Sequence, residues 1–272
     1  MKNIIKKIYG KGVVALGALD KMQFNTRIIT YHRVNPKFFE DQVRYLRDMY
    51  TVTSLNKALE NLSEKQVVIT FDDGYKNNKT VAYPVLKKLG LKATLFVVTE
   101  FAETDAFAWW DRIESIGTRY SISRLKKMFP NEIEKFVERK TAIGKLSEKP
   151  EKYVFLSWEE LIEVSDVFEI GSHGRTHAIL TRLDPKAAQA EIFDSKRILE
   201  KKIGMTIDSF AYPNGDYNEF IESMVEEAGY KCAVTYKGGN NSREEQKFRL
   251  FRRGIHYDDN VDVFAAKVAG FL

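Results

Sequence analysis

Short apolar runs alternate along this chain with stretches whose apolar residues recur every three or four positions, the signature of strands alternating with helices. Arg27-Ile28-Ile29-Thr30-Tyr31 predicts a first strand, after which Pro36 suits the opening turn of a helix through Tyr45 and Leu46. Val52 and Ser54 begin a second, shorter strand and helix. Val67 to Phe71 predicts the next strand, and its run of β-formers ends abruptly at Asp72-Asp73-Gly74. The helix that follows carries Val81, Ala82, Val85, Leu86 and Leu89 on one face and stops at Gly90; Pro84 kinks it or marks its true first turn. Ala93 to Val98 is almost continuously apolar, as a strand of a parallel sheet covered on both faces needs to be.

Between residues 101 and 156 this rhythm breaks. The stretch holds Trp109-Trp110-Asp111 and a charged helical segment with Ile133, Phe136 and Val137 as its apolar face, and it reads as an insertion that forms a lid or a substrate wall. Ser157-Trp158-Glu159-Glu160 is a capping box opening the next helix, with a strand from Val167 to Gly171 behind it. From Asp184-Pro185 a long helix spaces Ala188, Ile192, Ser195, Leu199 and Ile203 before Gly204 ends it. Then come a strand from Ser209 to Tyr212, a helix to Gly229, a strand from Lys231 to Thr235, a last strand from Leu250 to His256 and a helix from Val261. Such alternation predicts a parallel α/β barrel or a doubly wound sheet. No low-complexity linker divides residues 26–272, so they are expected to form one domain.

Composition adds limits. The single cysteine, Cys232, excludes an internal disulfide and a cysteine-rich metal site, and its apolar surroundings favour a buried structural thiol. The net charge of +5 is misleading, because residues 1–35 hold seven Lys or Arg against one acid, leaving the rest of the chain close to neutral. A nucleic-acid partner is therefore not expected. No apolar run is long enough to span a bilayer. Val13 to Leu19 after a basic start resembles a short signal-peptide core but lacks a persuasive cleavage site. Residues 1–25 read equally as a basic amphipathic helix touching anionic lipid through residues 1–21 or packed on the body. A cytoplasmic or membrane-associated protein is favoured over a secreted one.

The chemistry concentrates at strand ends. All four histidines, His32, His173, His177 and His256, fall at or just beyond predicted strands, where parallel folds gather catalytic groups. His173 and His177 are four residues apart, a spacing that lets two imidazoles face one ion. A carboxylate added to them makes a three-ligand site with open positions, the catalytic form of a zinc site. Asp73 can supply that carboxylate, leaving Asp72 beside the cation to take a proton from bound water.

Thr70-Phe71-Asp72-Asp73-Gly74, followed by Gly171-Ser172-His173 and His177, resembles the polysaccharide deacetylase (NodB homology) family, carbohydrate esterase family 4. The resemblance extends from Tyr31-His32-Arg33-Val34 to the C-terminal strand. It implies a distorted (β/α) barrel of about seven parallel strands and metal-dependent removal of acetyl groups from N-acetylated sugars. By the same resemblance Asp72 is the general base, and Asp73, His173 and His177 hold a divalent metal: zinc first, with cobalt, nickel or manganese as alternatives. Phe210-Ala211-Tyr212-Pro213-Asn214-Gly215 resembles the third motif, in which an aromatic residue, here Tyr212, offers its N–H to the oxyanion and Pro213 and Asn214 border the substrate.

Two departures stand out. Many members carry an arginine just ahead of the Tyr-Pro pair to orient the catalytic aspartate, and this chain has Ser209-Phe210-Ala211 there. This form is similar to the subgroup acting on poly-N-acetylglucosamine and related exopolysaccharides, and Arg252 or Arg253 is a candidate replacement. Gly254-Ile255-His256 loosely matches the last motif, whose histidine protonates the leaving amine; an alternative alignment gives that place to Arg253. His32 competes between a substrate contact and a core role, and Trp110 is a candidate for stacking on a sugar. The expected partner is thus an acetylated polysaccharide or lipid-linked glycan of the cell envelope. The rival readings are O-acetyl ester hydrolysis at the same metal, or an inactive carbohydrate-binding protein on this fold.

Overall fold

The computed structural model describes residues 25–116, 125–126, 128, 130–144, 149–242 and 247–271. The basic segment expected over residues 1–25 therefore lies, but for Asn25, outside the described residues. No helix among the described residues is long and apolar enough to cross a membrane.

Among the described residues eight strands occur, in chain order β1 (Arg27–Tyr31), β2 (Thr51–Thr53), β3 (Gln66–Phe71), β4 (Ala93–Val97), β5 (Phe168–Ser172), β6 (Ser209–Ala211), β7 (Cys232–Val234) and β8 (Arg253–Gly254). Seven form a parallel path, β7-β6-β5-β4-β3-β1-β8, and β2 pairs with the first half of β3. A parallel bridge between Val234 and Leu250 brings the segment entering β8 against β7, so the curl meets itself at one irregular seam. This is a distorted (β/α) barrel. The last strand is shorter than the expected Leu250 to His256, because that segment divides its hydrogen bonds: Leu250 bonds to β7, and Arg253 and Gly254 pair with β1.

Helices cover the outside. In order they are α1 (Phe39–Met49), α2 (Leu55–Ala58), α3 (Tyr83–Leu89), α4 (Thr99–Glu103), α5 (Trp109–Ser115), α6 (Pro130–Gly144), α7 (Trp158–Val164), α8 (Pro185–Ile203), α9 (Glu219–Glu227) and α10 (Val261–Ala269). Local chemistry sets their ends. Ser157 and Glu160 exchange both bonds of a capping box at α7, Asp184 accepts from the Ala187 N–H at the start of α8, and Gly90 and Gly204 close α3 and α8 in the left-handed conformation. Pro84 sits in the first turn of α3, behind a wide π-type turn at Asn78–Ala82 that absorbs its missing N–H.

Strand alternation sorts the core into two layers. Ile29, Tyr31, Ile69, Phe71, Leu95, Phe168, Ile170 and Phe210 face outward and pack under the helices. Ile28, Val68, Phe96, Ala211, Cys232, Val234 and Leu250 fill the inside of the curl. Cys232 is fully buried there, and burial pushes its thiol pKa up, as a structural cysteine requires. Glycine at 171 is a packing necessity: a Cβ there would lie 2.6 Å from the Phe96 ring and from Ser209 Oγ.

Candidate active site

The inward-facing alternation continues up the barrel. Above Ile28 and Val68 come Thr30 and Thr70, paired in register across β1 and β3, and above these His32 and Asp72 reach the rim. On β5 the same alternation runs from Glu169 through Gly171 to His173. A cavity of about 240 Å³ opens at this carboxyl end and is bordered by His32, Asp72, Asp73, Trp110, Lys126, His173, His177, Tyr212, Asn214, Gly215, Tyr236 and Arg252.

Two successive strand residues point to opposite faces, so Asp72 and Asp73 could not both serve one cavity from a continued strand. The chain solves this by leaving the strand at once. Asp73 adopts a left-handed conformation with φ 73° and swings back into the cavity beside its neighbour. His177 (φ 63°) and Asn214 (φ 61°) are the other non-glycine residues in this region among those described, and both border the same cavity. Backbone strain is thus gathered where the chemistry is.

Asp73, His173 and His177 each present a ligand atom, and these atoms lie within 4.8 Å of one another. Asp73 Oδ1 is buried without a hydrogen-bond partner, at 3.6 Å from His173 Nε2 and 3.5 Å from His177 Nε2. Burial raises the Asp73 carboxyl well above its ordinary pKa, assisted by the charges of Asp72 and Asp111. Burial lowers both imidazoles. One carboxyl and two imidazoles converging in this way are a donor set that a divalent cation fits. His173 Nδ1 sits 2.8 Å from the Ala211 carbonyl and so carries the proton, leaving Nε2 with its lone pair toward Asp73.

The two histidines sit on a loop that one buried side chain pins. Glu191, from α8, accepts from the N–H groups of Arg175 and Thr176 at 2.8 and 2.9 Å and from the Thr176 hydroxyl at 2.8 Å. Ser172 Oγ donates to Ser195 Oγ on the same helix at 2.8 Å.

Asp72 has a different partner. Arg252 grips it in a fork, NH1 to Oδ1 at 2.7 Å and NH2 to Oδ2 at 2.9 Å, with both side chains buried. The guanidinium is itself held by Thr30 Oγ1 (3.1 Å), Thr70 Oγ1 (3.2 Å) and the Thr235 carbonyl (2.8 Å). Burial alone would raise the Asp72 pKa, but Arg252 more than offsets it and keeps the carboxylate ionised well below its ordinary range. Arg252 therefore fills the place that Ser209-Phe210-Ala211 leaves open. Arg253, the other candidate, donates instead to Asn240 Oδ1 at 2.7 Å.

Several expected roles do not fit. His256 is exposed, stands outside the cavity border and uses its backbone N–H on Asp259 Oδ2 at 2.8 Å, so it does not reach a leaving group. β8 ends at Gly254, and the Ile255 N–H makes one more bond, to the Thr30 carbonyl at 2.9 Å, before His256 is reached. The Tyr212 N–H donates to the Val234 carbonyl at 3.1 Å and is committed to the sheet, not to an oxyanion. Its ring belongs to the outward layer and its hydroxyl donates to the Phe248 carbonyl at 2.8 Å. Asn214 and Gly215, in the turn after it, are what face the cavity, with Pro213 buried behind them.

His32 does border the cavity, and burial pushes its pKa down to about 4 despite the nearby Asp72. Trp110 also borders it: its ring packs on His177 at 4.5 Å between centroids, and its Nε1 donates to Tyr75 Oη at 2.9 Å. Tyr75 in turn donates to the buried Asp111 at 2.7 Å. Sequence reasoning missed Lys126, Tyr236 and Glu191. None lies in a motif, and only the fold brings them to the site.

The polysaccharide deacetylase family model matches residues 60–233, more than half of the chain. The chain belongs to the polysaccharide deacetylase family. YxkH of Bacillus subtilis (strain 168), provisionally named a polysaccharide deacetylase, is 29% identical over 258 residues, covering 89% of this chain and 75% of that protein. Among solved structures, Streptococcus pyogenes deacetylase PplD in complex with acetate superposes with a TM-score of 0.66 at 23% identity, over 91% of this chain and 99% of that one. IcaB from Ammonifex degensii gives 0.64 at 19% identity, over 90% and 97%. These likenesses establish the NodB-type fold, and the family establishes a deacetylase of the carbohydrate esterase type.

Proposed function

We propose that this deacetylase is a metal-dependent hydrolase that removes acetyl groups from N-acetylglucosamine-type units of a cell-envelope polysaccharide. The observation that carries the reading is the division of labour between two adjacent carboxylates. Asp72 is locked by Arg252 as an ionised base, while Asp73 offers an unpartnered oxygen to His173 Nε2 and His177 Nε2.

In this reading Asp73, His173 and His177 hold a divalent ion, zinc being the first choice; when bound, it polarises the acetyl carbonyl and makes water a stronger acid. Asp72 accepts the proton of the attacking water, its two oxygens steered by the Arg252 fork. With His256 outside the cavity, Asp72 is also the group that returns this proton to the departing sugar amine. His32, neutral at pH 7, borders the same wall as a hydrogen-bonding group. The turn at Pro213–Gly215 brings Asn214 and Gly215 to the same cavity. Products are acetate and a free amino sugar.

Acetate release from N-acetylglucosamine oligomers by protein loaded with Zn²⁺ or Co²⁺ tests the reading. Asp72→Asn is expected to lower turnover at least a hundredfold, and His173→Ala to lose the bound metal. Release that persists in Asp72→Asn, or metal content untouched in His173→Ala, overturns the assignment. An O-acetylated sugar assayed in parallel decides between amide and ester.

A further inference from the structure

We infer that Tyr236 is a stacking shelf for a pyranose ring at the mouth of the cavity, which gives the substrate a second point of recognition beyond the acetyl group. The inference rests on the deacetylase reading above and specifies its ligand as a sugar whose substituents are equatorial, so that one ring face carries only axial C–H bonds.

Three aromatic side chains border the cavity besides the histidines, and they differ in what remains free. Tyr212 is fully buried, with its ring in the outward layer. Trp110 has its ring packed on His177 and its Nε1 bonded to Tyr75. Tyr236 is 41% exposed and is the one exposed residue among those described around the cavity. Among the described residues its ring neighbour is His32, 6.1 Å away between centroids and tilted by 57°. Its hydroxyl has no hydrogen-bond partner among the described residues, and the residue keeps 41% of its surface exposed. An aromatic face carries partial negative charge that attracts the C–H edge of an apolar partner. A large exposed aromatic at a polar cavity is what such a partner needs.

The position is built, because two glycines make room for it. A Cβ on Gly215 would lie 2.4 Å from the Tyr236 nitrogen and 2.5 Å from its Cβ. A Cβ on Gly254 would lie 2.1 Å from the Tyr236 hydroxyl oxygen. Gly215 needs its positive φ of 75° in any case. Gly254 has no such requirement; its lack of a side chain serves the seating of Tyr236.

The test is the affinity of the N-acetylglucosamine tetramer, measured by titration calorimetry, with acetate release read on the same samples. Tyr236→Ala is expected to weaken binding about tenfold, the scale of one good aromatic contact, and to raise KM more than it lowers kcat. Tyr236→Phe is expected to bind within twofold of the parent, since the face and not the hydroxyl is used. Gly254→Ala is expected to weaken binding like Tyr236→Ala, and the Gly254→Ala/Tyr236→Ala double variant to bind no worse than Tyr236→Ala, because the clash has gone. Tetramer that fails to bind the parent, unchanged affinity in Tyr236→Ala, or a further loss in the double variant overturns the shelf. Tyr236-dependent binding without acetate release sinks the catalytic reading alone, whereas acetate release with unchanged affinity in Tyr236→Ala sinks the shelf alone.

Discussion

Replacing Arg252 by lysine keeps a positive charge while destroying the fork, and so asks whether orientation of Asp72 matters separately from its charge. Arg252 makes two charge-assisted bonds to Asp72, at 2.7 and 2.9 Å, and a third bond from Nε to the Thr235 carbonyl. A lysine ammonium is a point donor on a flexible stem and cannot match both carboxylate oxygens in one plane. Losing one charge-assisted bond costs about 1.5–3 kcal/mol, and leaving the buried Thr235 carbonyl unpaired adds about 1 kcal/mol or more. The variant should thus be about 2.5–4 kcal/mol less stable, read from the urea midpoint at unchanged slope. Arg252→Met, which strands a buried carboxylate, should cost about 3–5 kcal/mol. A base displaced by an ångström loses about a hundredfold in rate, so kcat/KM for acetate release should fall by about that factor. Asp72 is held below its ordinary pKa in the folded protein. Its contribution to stability is therefore full above the unfolded carboxyl pKa and fades as pH falls through the folded one. In Arg252→Lys the Asp72 pKa rises, and the acid limb of the kcat/KM profile should move to higher pH. A lysine variant with the parent's kcat/KM and the parent's acid limb would refute the claim that the fork positions the base.

Three further outcomes are expected. Glu191→Gln keeps the size of the clamp but weakens its grip on the Arg175 and Thr176 N–H groups; metal affinity should drop about ten- to a hundredfold by competition with a chelating dye, and unchanged affinity would mean the loop holds itself. Asp111 is pushed up to about 7 by burial, despite the hydrogen bond from Tyr75. Because its unfolded pKa is near 3.9, the folded state holds the proton more tightly between about pH 4 and 7; stability should fall across that window as pH rises, by up to about 4 kcal/mol, and Asp111→Asn should flatten the slope in denaturant titrations at several pH values. Chelation should lower Tm if Asp73, His173 and His177 hold an ion in the native state: an ion present at a hundred times its Kd adds about 2.7 kcal/mol. His173→Ala should abolish the Tm difference between chelated and metal-loaded protein.

Much of the fold was legible because its determinants are local. The strands β1, β3 and β4 are mostly apolar and buried throughout, since helices cover one face and the barrel interior the other. Capping at Ser157 and Asp184 and glycine stops at 90 and 204 set helix ends with no help from distant residues. The final strand was read too long, because how much of a segment becomes strand depends on which neighbours offer hydrogen bonds. The metal-ligand candidates Asp73, His173 and His177 were legible as well, through residue type and spacing at strand ends.

What sequence alone determined here is which strand carries each group, and hence that carboxylates and histidines arrive at one rim. Tertiary structure decided what each group does there. A positive φ turns Asp73 back beside Asp72, although consecutive strand residues otherwise face apart. Arg252 reaches Asp72 from 180 residues away, so no local pattern could announce it. His256 and Tyr212 looked suitable in the sequence, but His256 stands outside the cavity border and the Tyr212 N–H is taken by a ladder hydrogen bond. Glu191 and Tyr236, which stand in no motif, reach the site only because α8 and the end of β7 pack where they do. Alternation along a strand is encoded in the chain; the partner across the barrel is not.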